Sequence, residues 1–326
     1  MAETSSAEAS PVAPSSPAAG GRALAYRSSD GLALHVAEYG ERASPWLPVV
    51  CLPGLTRSAR DFGELAAFLA GPSERPRRVL AFDYRGRGSS EWARDAATYA
   101  PLTEMQDVLD GMAALGVGRA VIVGTSRGGI LGMLIAVARP AVLAGLVLND
   151  IGPVMEPTGL ARIKGYVGRT PVPDDWNDAV AILKRLHAPR FPALSEDDWH
   201  WWARMTWRED GHGKPAPAYD PALAQSLDAI EFDRPIPSLW DHFNAVGVPV
   251  LAIRGEHSDL LSADTFAAMA ARPNVEAMTV PGQGHAPLLR GEALLQRIAA
   301  FVSGIEGRAL PVDAVVARAS TESPGQ

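Results

Sequence analysis

The 326-residue chain holds a single cysteine, Cys51. No disulfide can form within it, which fits a reducing compartment or one that imposes no redox constraint. No apolar run approaches the ~18 residues that span a bilayer. The N-terminus, MAETSSAEASPVAPSSPAAGG, lacks the basic start and apolar stretch of a secretory signal. Lys/Arg runs are absent too, and a formal net charge of -7 argues against nucleic acid as a main partner. These absences lead to the expectation of a soluble cytoplasmic protein that engages neither nucleic acid nor membrane, with a homodimer left open.

The hydrophobic fraction is 47% with 21% charged residues, enough to bury a substantial core. The length is great for one core and small for two full domains, so an α/β domain with a large insertion is expected. The Ala/Ser/Pro-rich residues 1–21 read as a disordered tail and residues 308–326 as a flexible one. From Arg22 the pattern alternates strand and helix. LALHVAEYG alternates like a half-exposed strand, whereas LPVVCLPG and RVLAFDYRG are short apolar runs ending in glycine, as buried parallel strands do. ARDFGELAAFLAG reads as a helix closed by Gly71, and LTEMQDVLDGMAALGV as a second. AVIVGTS, RGGILGMLIAVARP and LAGLVLND then read strand, helix, strand. The fold expected is α/β, a mostly parallel central sheet with helices on both faces.

The rhythm breaks at Ile151 and resumes near Pro249 with PVLAIRGEHSD, SADTFAAMAARP, VEAMTVPGQGH and ALLQRIAAFVSG. Residues 22–150 and 236–307 therefore form the core, and 151–235 a helical insertion with no clean strand. The insertion carries five of the chain's eight tryptophans: Trp176, Trp199, Trp201, Trp202 and Trp207. They read first as the insertion's own core and second as a wall of a substrate pocket.

The stretch GTSRGG places Ser126 between Gly124 and Gly128 where a buried strand becomes a helix. With 31 glycines in the chain, a bare Gly-x-Ser-x-Gly arises by chance in about one such sequence in five, so the context carries the weight. In that context the glycines allow strand and helix to pass closely while a sharp turn lifts the hydroxyl out. The rival role for Ser126 is helix capping. A nucleophilic serine needs a base, and His285 lies in a glycine-rich loop after the last strand, where ligands meet a parallel sheet. The acid that orients it is open among Asp259, Asp150 and Glu256, since the order Ser, acid, His holds for Asp150 and Asp259 alike. Two backbone N–H groups can receive a developing oxyanion: Arg127 at the helix start, and Leu55 after the tight turn at Gly54.

LPGLTRSARDF, FDYRGRGSS, GTSRGG, RGEHSD and GQGHAP follow one another in the order and spacing of the α/β-hydrolase superfamily. Residues 25 to 305 resemble it, with 151–235 matching the helical cap, and the chain is most similar to capped, cofactor-independent serine esterases and lactonases. The resemblance implies Ser126 as nucleophile, His285 as base, Asp259 as acid, and Leu55 and Arg127 as the oxyanion hole. Two departures stand out. Pro53-Gly54 replaces the usual His-Gly, and Asp259 lies one residue farther from Gly255 than is common, which keeps Asp150 in play.

Asp83, Arg85 and Arg87 in DYRGRG lack the glycine spacing of a dinucleotide site and read as ties that hold a loop down. His187, His200 and His212 lack metal-ligand spacing, so neither metal nor other cofactor is expected. Arg57, Arg127, Arg162 and Lys164 raise one further expectation: Arg57 and Arg162 point inward and bind a carboxylate beside the scissile bond. The expected substrate is a small-molecule ester, lactone or related acyl compound, cleaved through an acyl-enzyme. The alternatives are C–C or amide hydrolysis of a carboxylate-bearing substrate, and ligand binding without catalysis.

Overall fold

A computed structural model describes residues 21–228 and 230–308. The two expected tails, apart from Gly21 and Arg308, lie outside the described residues. The first strands are β1 (Arg22–Arg27), β2 (Ala33–Tyr39), β3 (Val49–Leu52), β4 (Val79–Phe82), β5 (Ala120–Thr125) and β6 (Leu143–Asn149). After the insertion come β9 (Val250–Gly255) and β10 (Val275–Val280); β7 (Trp207–Glu209) and β8 (Pro215–Pro217) belong to the insertion itself. The main sheet runs β1-β2-β4-β3-β5-β6-β9-β10. β2 is antiparallel to both neighbours and every other pair after it is parallel.

The central strands are apolar throughout because both faces are covered. Val50, Leu52, Ala120 and Ile122 point to one side, against α2 (Pro101–Ala114) and α3 (Arg127–Ala138). Val49, Cys51, Val121 and Val123 point to the other, against α1 (Gly63–Ala70) and α9 (Glu292–Arg308). Each valine, leucine or isoleucine among them, wholly withdrawn from water, contributes roughly 1.5–3 kcal/mol. The helix expected from Ala59 starts as a 3-10 turn over Ala59–Phe62 before α1. β2 departs from its expected half exposure and is buried from Leu34 to Tyr39. The polar members of its alternation face partners, not water: Glu38 meets Arg78 at 2.7 Å and His35 meets Asp83 at 2.8 Å. The sheet's edges are β1, largely exposed, and β10, only partly buried.

The insertion contains α4 (Pro157–Tyr166), α5 (Trp176–His187) and α6 (Glu196–Thr206). Contrary to expectation it also holds two short antiparallel strands, β7 (Trp207–Glu209) and β8 (Pro215–Pro217); three-residue strands carry too little alternation to be seen in sequence. Asp175 caps α5 through the N–H groups of Asn177 and Asp178, and a Ser195–Asp198 capping box opens α6. Val180, Leu183, Phe191, Trp199 and Trp202 form a core of the insertion, joined by Leu288 from the loop after β10. The tail of the insertion leads through α7 (Trp240–Asn244) into β9, and α8 (Ala263–Ala270) links β9 to β10. No helix among the described residues is long and apolar enough to cross a membrane.

Candidate active site

Ser126 sits between β5 and α3 with φ 49° and ψ −109°, a conformation that side chains rarely adopt. The flanking glycines make it attainable. A Cβ on Gly128 would lie 2.0 Å from the Leu52 carbonyl oxygen, and one on Gly124 would lie 2.4 Å from the Gly128 carbonyl carbon. Strand and helix therefore touch through bare backbone, and the serine side chain is left free of a capping role, with no side-chain cap bond.

His285 Nε2 lies 3.0 Å from Ser126 Oγ, and its Nδ1 lies 2.8 Å from Asp150 Oδ2. Asp150 directly follows β6, has φ 55° and is fully buried. Its carboxylate also accepts the Gly255 N–H on Oδ1 and the Ser258 hydroxyl on Oδ2, each at 2.6 Å. Three donors, from the end of β9, the loop after it and the loop after β10, thus hold it in one orientation.

Asp259, the acid that the resemblance implied, is not bonded to His285. Its two carboxylate oxygens take Arg162 at 2.6 and 2.8 Å, and Arg190 Nε lies 2.9 Å away. Burial would raise its pKa, but these two guanidiniums outweigh it and hold the carboxyl below the usual range. Glu256 is occupied as well, accepting the Gly282 N–H at 2.7 Å.

The turn at Gly54 lies against the serine: a Cβ there would be 3.9 Å from Ser126 Cβ. The Leu55 N–H that follows makes no hydrogen bond among the described residues, while its carbonyl accepts from Arg87 Nε at 2.8 Å. Arg127 opens α3, so its N–H has no carbonyl partner within the helix. Its side chain turns to Glu104, 2.7 Å from Nε. Glu104 is fully buried and also pairs with Arg87 at 2.7 Å. Burial alone would raise its pKa, but the charges of Arg127 and Arg87 hold it below the usual range.

The remaining polar groups of DYRGRG do tie down loops. Asp83 accepts the N–H groups of Ala59 and Ser89, and Arg85 pairs with Asp107 and Asp30 at 2.7 and 2.8 Å.

Ser126 and His285 line a cavity of about 370 Å³ whose walls come from both the sheet ends and the insertion. Trp201, Trp202 and Trp207 line it while also belonging to or packing on the insertion core, so three of the five tryptophans serve as core and cavity wall at once. Both arginines expected to bind a carboxylate are paired within the protein. Arg57 lines the cavity, but its guanidinium holds both oxygens of Asp61 at 2.7 and 2.8 Å and also reaches the Thr206 hydroxyl. Arg162 is not among the lining residues; Asp259 claims it. Lys164 donates to the Ile230 carbonyl at 2.9 Å.

Residues 49–297 match the family model described as alpha/beta hydrolase family. The chain belongs to this family. It is 33% identical over 287 residues to the 3-hydroxybutyrate-oligomer hydrolase of Cupriavidus necator, covering 82% of this chain and 92% of the relative. It is 27% identical to the 2-(acetamidomethylene)succinate hydrolase of Mesorhizobium japonicum, over 64% of this chain and 71% of that one. Among solved structures it resembles an alpha/beta hydrolase from Novosphingobium aromaticivorans, with 40% identity, a TM-score of 0.81, and coverage of 87% of this chain and 99% of that one.

Within this hydrolase frame, three groups, Ser258, Gly255 and His187, have places that the sequence did not assign to them. Ser258 and Gly255 orient Asp150, and nothing local to them signals it, because their partner is more than a hundred residues away. His187 lines the cavity. Its signal was readable: it continues the buried face of α5 at the helical spacing Val180, Leu183, His187.

Proposed function

We propose that the protein is a serine hydrolase that cleaves a carboxylic ester or lactone of a small, uncharged molecule through an acyl-enzyme. Ser126 Oγ attacks the carbonyl carbon as its proton passes to His285 Nε2, while Asp150 holds the Nδ1–H tautomer and faces the imidazolium that forms. The carbonyl oxygen, now negative, is received by the N–H groups of Leu55 and Arg127. On collapse the alcohol leaves with the proton from Nε2. Water, deprotonated by the same nitrogen, then attacks the acyl carbon and frees Ser126 with the acid product. The helical insertion acts as the cap that closes over the substrate.

The observation that carries this reading is the line from Ser126 Oγ through His285 to Asp150, 3.0 and 2.8 Å. Membership of the hydrolase family and likeness to a relative named for an ester-linked oligomer support the ester bond. A carboxylate-bearing substrate, as in the relative named for a succinate, would call for an uncommitted cation. The charged side chains lining this cavity are Arg57 and Asp61, paired to each other.

The test is Ser126→Ala, assayed on p-nitrophenyl esters and lactones of short acids and by fluorophosphonate labelling. Hydrolysis is expected to fall on the order of 10⁴-fold or more with thermal unfolding little changed, and labelling to vanish. A variant that keeps more than a tenth of wild-type activity would remove Ser126 from the mechanism.

A further inference from the structure

One polar group in the cavity has no part in the relay from Ser126 to Asp150. His187 ends α5, is 7% exposed and lines the same cavity as Ser126 and His285. Its ring lies 4.8 Å from that of Trp202 at 30°, with Tyr166 and Phe191 edge-on at 5.7 and 6.3 Å. Aromatic neighbours thus fix the ring, yet its Nδ1 is buried without a hydrogen-bond partner among the described residues. Burial, followed by the charges of Arg162, Arg57, Arg190 and His285, pushes its pKa down to about 3. At any working pH it is a neutral imidazole, with one N–H donor and one bare acceptor nitrogen.

A buried polar atom left unpaired costs stability. If the ring were only an aromatic filler, phenylalanine would pack here without that cost. A histidine is therefore kept for its polar nitrogens, and since Nδ1 is closed off, the nitrogen a ligand in the cavity can reach is Nε2, which makes no hydrogen bond among the described residues. The ligand's charge is constrained as well. A neutral imidazole offers no counter-charge to a carboxylate, and the surrounding arginines are already engaged, Arg57 by Asp61 and Arg162 and Arg190 by Asp259.

We propose that His187 is a specificity-determining residue of this site, and that the substrate is an uncharged ester bearing a hydroxyl or carbonyl oxygen away from the scissile bond, which hydrogen-bonds to His187. The proposal rests on the ester-hydrolase reading above. A site that contributes a buried hydrogen-bonding group discriminates against analogues that lack the matching oxygen, because the group is then left unpaired.

The experiment compares kcat/KM for two matched pairs of p-nitrophenyl esters: 3-hydroxybutanoate against butanoate, and 4-oxopentanoate against pentanoate. In the wild type at least one oxygen-bearing ester should exceed its partner by about tenfold or more. That ratio should collapse toward one in His187→Phe and survive in part in His187→Gln, which keeps a donor and an acceptor. Fluorophosphonate labelling and thermal unfolding report on the integrity of each variant. Absence of any preference in the wild type, or a preference that survives in His187→Phe, would overturn the proposal and leave the ester reading standing. Failure of the wild type to label at Ser126 or to hydrolyse any of the four esters would overturn both.

Discussion

Replacing Asp150 by asparagine should disable the site through a single proton. In the structure Oδ1 accepts the Gly255 N–H at 2.6 Å and Oδ2 accepts His285 Nδ1 at 2.8 Å. An asparagine has one acceptor oxygen and one donor amide to place in those two positions. Turning the amide toward Gly255 would set two donors face to face at 2.6 Å, so the oxygen must stay there. The amide then donates to Nδ1, which forces the imidazole proton onto Nε2. From Nε2 that proton points at Ser126 Oγ, and the base has lost the lone pair it needs. A triad locked in the wrong tautomer loses on the order of 10⁴-fold in kcat, about 5 kcal/mol. Asp259→Asn leaves His285 untouched. It leaves Arg162 and Arg190 without their carboxylate, at a cost of about 2 kcal/mol in stability and less than about tenfold in kcat. Steady-state kcat on one p-nitrophenyl ester, with unfolding temperatures for both variants, makes the comparison. A greater loss in Asp259→Asn, or more than a tenth of wild-type kcat in Asp150→Asn, would refute the reasoning.

Gly128→Ala should destabilise by about 3 kcal/mol or more and cut activity with it. Its Cβ would lie 2.0 Å from the Leu52 carbonyl oxygen, so α3 must move off the sheet; denaturant midpoints and esterase assays measure the two effects, and an unchanged midpoint would contradict the close approach. The depressed pKa of His187 makes a second, thermodynamic prediction. The unfolded chain binds this proton below about pH 6.5 and the folded protein only near 3, so His187 lowers stability as pH falls from 6.5 toward 3, by about 1.4 kcal/mol per unit. His187→Phe should therefore narrow the difference between unfolding free energies at pH 7 and pH 4.5, and an equal difference in both proteins would contradict the buried neutral imidazole.

The elbow at Ser126 was legible because its cause is local. Strand and helix can approach as they do only where residues 124 and 128 lack a Cβ, and two glycines at that spacing state it. His285 was legible for a similar reason, in a glycine-rich loop after a terminal strand. Which carboxylate bonds to His285 was not, since Asp150 and Asp259 both follow strands and both precede His285 in the chain. What separates them is lateral: β6 lies between β5 and β9, and the end of β9 with its following loop turns the Gly255 N–H and the Ser258 hydroxyl toward Asp150. A spacing rule along the chain contains no such information. The arginines misled in the same way. Arg57 has its partner four residues on, at Asp61, which the sequence displays, but Arg162 finds Asp259 ninety-seven residues away. The polar positions of β2 were read as wet because alternation reports which face is polar and not whether a charge waits there.

The same network explains why a site rich in cations presents so little charge to its cavity. Arg87 steadies the turn at Leu55 through that residue's carbonyl, and Arg127 carries its guanidinium away from the serine that precedes it. Glu104, wholly buried, binds both. One carboxylate thereby braces the two segments that supply the Leu55 and Arg127 N–H groups, and neither arginine is left to attract an anion in the resting state. Arg57 is matched by Asp61, and Arg162 and Arg190 by Asp259. With the side-chain charges committed elsewhere, two backbone N–H groups remain as uncommitted donors near Ser126, Arg127 at the elbow and Leu55 after the turn at Gly54. Such donors matter little to a neutral carbonyl and most to an oxyanion, since the attraction grows as charge develops in a place from which water is excluded. Under the proposed ester hydrolysis, a cavity arranged in this way would discriminate between ground state and transition state by when the negative charge appears, which is the condition for raising kcat and not merely tightening binding.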